Sequence, residues 1–201
     1  MSTLAALLGT WHVRGATQQM WPTRIYRRTS PTGPDTGTLA QQILDREHAD
    51  TSLSLGVEGA RKSAPDILTW DIPAMAALNA WIREAALAIT DAGPDTPLTA
   101  VGWAVHYGQG GFHEVHAHHD SAVSGVYYLQ TSARASGALE LFDPRPARLA
   151  TASHDASEPC TVHPHPGLLI AFPSWLRHAV ALHTADTPRL CIAFNVTTGA
   201  T

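Results

Sequence analysis

Between Gly110 and Tyr128 the chain reads G-G-F-H-E-V-H-A-H-H-D-S-A-V-S-G-V-Y-Y, and further on it reads F-P-S-W-L-R-H-A-V and then P-R-L-C-I-A-F-N. Imidazole and carboxylate groups hold transition metals, and their spacing here suits a single ion. In an extended strand successive side chains alternate faces, so His116, His118 and Asp120 project one way while Ala117 and His119 point the other. Neighbours in that row can occupy adjacent coordination positions. A third ligand must come from elsewhere, and His178 qualifies because it adjoins a second apolar, strand-like run. Two histidines and a carboxylate on one face leave positions open opposite, an arrangement suited to iron(II); three histidines would make a similar, more positively charged site. Whether His116 or Asp120 joins His118 and His178 is open at this level.

The elements that must position these groups are legible from the rest of the chain. Its 201 residues fit one domain with a sizeable core. An apolar fraction of 44% is ordinary for a globular protein, and a net charge of -4 with 13 scattered basic residues offers no stripe for a phosphate backbone. Nucleic acid is therefore not expected as a partner. No apolar run is long enough to span a membrane. The N-terminus lacks the basic region and apolar core of a secretion signal, and two cysteines, Cys160 and Cys191, make no disulfide framework. These features point to a cytoplasmic setting. Histidine is the outlier, with 12 in the chain; His48, His154, His163 and His165 are expected on the surface.

Residues 1–19 carry no clear pattern and read as a loose arm. Residues 20–97 hold a short strand, Met20–Tyr26, whose Pro22 suits a sheet edge, then a loop rich in Pro and Gly, then two helices. The first helix is expected over Thr38–His48, capped by Thr36 or Thr38. The second is expected over Pro73–Asp91, with Met75, Leu78, Ile82, Ala86 and Ile89 on one face and Gly93-Pro94 beyond its end. From residue 98 to 197 short β-type runs follow: Leu98–Tyr107, Phe112–His118, Ser124–Gln130, Ala138–Phe142, Cys160–His163, Leu168–Phe172, Ala179–His183 and Arg189–Val196. Such a series predicts a mainly β, closed or nearly closed unit with the helices packed outside, and Asp143–Pro159 as a long rim loop. An edge strand near Pro22 could pair two copies into a homodimer.

The ordered set His116-Ala117-His118, Ser124-Gly125-Val126-Tyr127-Tyr128, Phe172-Pro173-Ser174, His178-Ala179-Val180 and Arg189 through Asn195 resembles a bacterial family within the Fe(II)/2-oxoglutarate-dependent oxygenases. With the opening MWPTRIY, the resemblance extends over residues 20 to 197. It implies a double-stranded β-helix, also called a jelly roll and shared with cupins, with iron(II), 2-oxoglutarate and dioxygen as cofactor and co-substrates. Aligning the family's glycine-rich turn on Gly110-Gly111-Phe112 favours His116 and His118 as the first ligand pair. A strict H-x-D instead takes His118 and Asp120. His178 is the distal ligand in either case, and whichever of His116 and Asp120 is not a ligand would orient one.

In the resembled superfamily an arginine after the distal histidine holds the far carboxylate of 2-oxoglutarate, and Arg189 stands at that place with a planar two-pronged donor. Cys191 follows on the same face, where many relatives carry a hydroxyl. Tyr128, and after it Tyr127, could add a hydrogen bond to that carboxylate. Trp103 and Tyr107 share a strand face as core or cavity wall. Gly125 and Gly167 are expected to serve close approach or turns, and Trp175, His119 and His113 are candidates for substrate contact. The implied reaction is hydroxylation of an unactivated C–H bond of a small molecule or an amino-acid or peptide substrate, with release of succinate and CO2. Two alternatives stand beside it: a cupin-like metal dioxygenase that does not use 2-oxoglutarate, and a non-catalytic ligand-binding barrel. Arg189 after His178 argues against both.

Overall fold

The alternating runs after Pro97 join one antiparallel sheet that curls over on itself. The structure, a computed structural model, describes residues 22–47, 57–132, 135–145 and 158–199. The N-terminal arm, Met20, Trp21, His48, His154 and most of the Asp143–Pro159 loop lie outside the described residues. In chain order the elements are β1 (Tyr26–Arg28), α1 (Thr36–Glu47), β2 (Val57–Lys62), a 3-10 turn (Ile67–Thr69), α2 (Pro73–Thr90), β3 (Leu98–His116), β4 (Val123–Gln130), β5 (Leu139–Leu141), β6 (Cys160–Val162), β7 (Leu169–Pro173), β8 (His178–Val180) and β9 (Arg189–Thr198). The strands run in the order β1-β7-β4-β9-β3-β8-β5-β6, and β2 also pairs with β3.

β3 belongs to both layers. Its first part pairs with β9, from Leu98 opposite Thr198 to Tyr107 opposite Arg189, and its end pairs with β8, His116 lying opposite His178. One strand thus leaves one wall and enters the other, which closes the mainly β, double-stranded β-helix with both helices outside.

Strand periodicity sorts the larger wall into two faces. On β4 and β9, Val123, Tyr127, Leu129, Leu190, Ile192, Phe194 and Val196 pack under Leu39 and Ile43 of α1 and Met75, Leu78 and Ile82 of α2. Each such buried side chain contributes about 1.5–3 kcal/mol relative to an exposed one. The intervening residues Val126, Tyr128 and Cys191 face the other way, toward Val105, Tyr107, Leu139 and Val180. Gly125 leaves room for the strands on either side of it in the sheet: a Cβ there would stand 2.3 Å from the Phe194 ring of β9 and 2.6 Å from the Ile170 carbonyl of β7.

Several expectations are corrected. The first strand is Tyr26–Arg28, paired with β7, and Pro22 precedes it. The two runs at 98–107 and 112–118 are one strand, because β2 and β8 supply partners beyond the glycines. β2 was not anticipated. α1 is capped by Asp35, whose Oδ1 accepts the N–H groups of Gly37 (2.9 Å) and Thr38 (3.1 Å), in place of either threonine. α2 ends where Asp91 turns left-handed at φ 57°.

Candidate functional site

His116, His118 and His178 converge, with one ring nitrogen from each lying within 4.8 Å of the others. Cross-strand pairing brings His116 and His178 together, their ring centroids 4.1 Å apart, and His118 completes the triangle at 5.1 and 5.4 Å. Nδ1 of His178 lies 2.8 Å from the Leu176 carbonyl, and Nδ1 of His116 lies 2.8 Å from the Glu114 carbonyl. A carbonyl only accepts, so each Nδ1 carries the proton and each Nε2 presents a free lone pair, the tautomer a metal requires. Burial lowers the basicity of all three rings and takes His178 down to about 3, helped by His116 and His118, so they remain neutral. His113 stacks on His116 at 4.0 Å and is itself lowered to about 3, first by burial.

His118 lies beyond the end of β3 and is held differently. Its N–H donates to the carbonyl of Ser174 at 2.9 Å, while the Ser174 N–H donates to Ala122 at 3.1 Å and its hydroxyl donates to the Ser121 carbonyl. The serine of F-P-S therefore clamps the 118–122 connection beneath the third histidine. Because β3 stops at His116, the alternation that was to align His116, His118 and Asp120 does not continue. Asp120 is exposed, accepts a 3.1 Å hydrogen bond from Ser121 Oγ, and stands outside the histidine cluster.

The three histidines open onto a cavity of about 380 Å3, within the roughly 300–1,000 Å3 of small-molecule sites. Arg189 is in its wall and only 1% exposed, its guanidinium 4.4 Å from the ring centre of Tyr107 and 5.1 Å from that of Tyr128. Its Nε and Nη1, and the Tyr128 hydroxyl, are buried without a hydrogen-bond partner. Burial pushes the Tyr128 phenol up to about 12, so it stays a donor. Among the described residues, no carboxylate lines the cavity. Unsatisfied buried donors cost free energy, on the order of 1–3 kcal/mol each, and these match a ligand carboxylate. Cys191 Sγ, 3.8 Å from the Val105 carbonyl, occupies the hydroxyl's expected place.

Tyr127 faces the helices and donates to the Pro34 carbonyl at 2.6 Å, which removes it from the pocket. Trp103, His113, Ser124 and Asn195 line the cavity, and Ser124 Oγ donates to Asn195 Oδ1 at 2.8 Å, giving the asparagine of I-A-F-N a fixed orientation. His119, His163 and His165 are exposed; Trp175, 50% exposed, borders a separate depression with Arg24 and Asp91. Lys62 of β2 also lines the cavity, and only the β2–β3 pairing reveals it. His183, fully buried, was equally unmarked in sequence; its Nε2 lies 2.9 Å from the Thr187 carbonyl.

Comparison with known proteins agrees with this geometry. The sequence profile described as "Putative 2OG-Fe(II) oxygenase" matches residues 102–195. No curated protein sequence matches the chain. Among solved structures, a prolyl-4-hydroxylase from Pseudomonas putida superposes with a TM-score of 0.66 at 18% identity, covering 89% of this chain and 94% of that one. HygX from Streptomyces hygroscopicus, with nickel and 2-oxoglutarate bound, superposes with a TM-score of 0.60 at 16% identity, covering 88% and 84%. The 2-oxoglutarate-dependent epimerase SnoN from nogalamycin biosynthesis gives 0.63 at 14%, covering 87% and 76%. At such identities the likeness is one of fold, and it agrees with the sequence match: residues 102–195, which carry all three histidines and Arg189, match the 2OG-Fe(II) oxygenase family profile.

Proposed function

We propose that this protein is a 2-oxoglutarate-dependent iron(II) dioxygenase that hydroxylates an unactivated C–H bond of a small molecule or an amino-acid or peptide substrate, releasing succinate and CO2. The observation that carries the reading is the pairing, in one cavity, of three neutral histidines with a buried arginine that has no anionic partner among the described residues. His116, His118 and His178 would hold the iron, and Arg189 with Tyr128 would hold the far carboxylate of 2-oxoglutarate. When bound, the metal and co-substrate supply the oxidising chemistry; the protein supplies position and shielding.

Each residue's part follows from its surroundings. The carbonyls of Glu114 and Leu176 keep two Nε2 atoms unprotonated, and Ser174 keeps the third histidine in reach. Arg189 offers two parallel donors to a carboxylate, with Tyr107 and Tyr128 as its floor. Phe172, 4.7 Å from His178, and Val105, Val180 and Leu139 make the walls apolar and keep water from the reacting centre. Three histidines in place of two and a carboxylate leave the metal's charge uncompensated by the protein. The free thiols of Cys160 and Cys191 support a cytoplasmic setting. The edge position of β1 supports pairing of two copies there, which light scattering would test.

Anaerobic titration with iron(II) and 2-oxoglutarate tests the assignment. A weak visible charge-transfer band should form in the wild type and disappear in His178→Ala and Arg189→Ala. Its absence from the wild type, or its survival in both variants, refutes it. Succinate formation separates this reading from a cupin-like dioxygenase without 2-oxoglutarate.

A further inference from the structure

Lys62 lines the cavity beside the histidines and is neither one of the three that converge nor part of the Arg189–Tyr128 pair. On β2, Ala60 lies opposite Tyr107 and Lys62 opposite Val105, so both share the cavity face of the sheet, while Arg61 turns to the other face beside His106. The Lys62 ammonium stands 6.0 Å from the centre of the Trp103 ring, which also lines the cavity. Trp103 is opposite Ala193 and Tyr107 opposite Arg189, so the lysine leans along the sheet away from the arginine. Among the described residues no carboxylate pairs with Lys62, and none lines the cavity. Burial holds its ammonium below the ordinary value, the mark of a charge without compensation.

The balance of charge gives this lysine its use. Three neutral imidazoles add no negative charge to the metal, and Arg189 and Lys62 each add a positive one. The dianion of 2-oxoglutarate offsets only part of that sum. A second anion entering the cavity would meet a cation unopposed by any acid among the described residues, beside an indole face. Resting on the oxygenase reading above, we infer that Lys62 anchors the prime substrate through a carboxylate, and that the substrate is a small organic acid stacked against Trp103 with a C–H bond presented to the histidine end. A compact ammonium suits a single carboxylate; it lacks the fork that favours bidentate grip.

Calorimetry on the anaerobic iron(II)·2-oxoglutarate protein tests this, using N-acetyl amino acids as free carboxylates and as the matching amides. At least one free acid should bind the wild type about tenfold or more tightly than its amide, the factor expected of a hydrogen bond to a charged group. Lys62→Met should erase that preference while leaving the visible chelate band intact, and Lys62→Arg should restore most of it. Arg61→Met, one residue away on the opposite face, should change nothing. The inference is overturned if no acid binds the wild type better than its amide, or if Lys62→Met keeps the preference. Loss of the chelate band from the wild type is a separate result and tells against the oxygenase reading.

Discussion

Along β9, Leu190, Ile192 and Val196 point into the core beneath α1 and α2, whereas Arg189, Cys191, Ala193 and Asn195 face the cavity. The same pair of faces runs through β4, where Tyr127 is bonded to the Pro34 carbonyl and its neighbour Tyr128 has no partner for its hydroxyl. The outer face is close-packed and its buried hydroxyl is satisfied. On the inner face Arg189 and Tyr128 hold buried polar atoms without a hydrogen-bond partner among the described residues, a cost that a ligand carboxylate would remove. On the proposed reading both faces contribute a buried core, while binding is confined to the inner one.

That division can be broken or sharpened by substitution. The largest effect is expected at the inner histidines. His116→Ala, His118→Ala or His178→Ala should weaken iron(II) binding by more than about 100-fold, beyond the usual cost of losing a group that merely orients a ligand, with far-UV circular dichroism unchanged; full metal loading of the variants by elemental analysis would contradict the site. Next comes Arg189→Met, which should cost about 2–5 kcal/mol of 2-oxoglutarate affinity. The thermal midpoint of the metal-free variant should hold steady or rise, since an uncompensated buried charge is removed. A fall in midpoint with affinity preserved would reverse the roles of the two faces.

On the outer face, Ile192→Ala should lower unfolding free energy by about 2–5 kcal/mol in denaturant titration and leave the 2-oxoglutarate dissociation constant of the folded protein within a factor of about three, below 1 kcal/mol. The smallest and most discriminating comparison uses the adjacent tyrosines. Tyr127→Phe should cost about 1 kcal/mol of stability with no change in co-substrate affinity. Tyr128→Phe should weaken co-substrate binding about tenfold, as for a lost bond to a charged group, with no loss of stability. Exchange of the two outcomes would show that the inner hydroxyl is structural.

Much of this was legible in the chain because each layer of the argument had its own signal. Turn residues separated most of the strands, alternation put Arg189 and Cys191 on one face of β9, and the order of His118, His178 and Arg189 carried the family resemblance. What escaped did so for physical reasons. β2, V-E-G-A-R-K, has no apolar alternation; it is a strand because the edge of β3 offers it a ladder, and Lys62 could not be placed without it. The glycines at 108, 110 and 111 looked like a break, yet pairing on both sides carries β3 through them. Asp120 fitted the metal pattern only if the strand continued, and where it stops is set by backbone bonds from Ser174 far along the chain. Asp35 outcompeted the threonines as a cap because it reaches two N–H groups at once.

Tyr107, beneath the Arg189 guanidinium, and His116, across from His178, sit on the same strand. On the proposed reading, the strand that floors the anion anchor also carries one of the metal's three ligands. β3 would then help to set the separation between the two ends of the bound co-substrate. Inserting one residue near Gly108 should turn the strand beyond it to its other face, taking His116 out of register with Tyr107 and abolishing the chelate band.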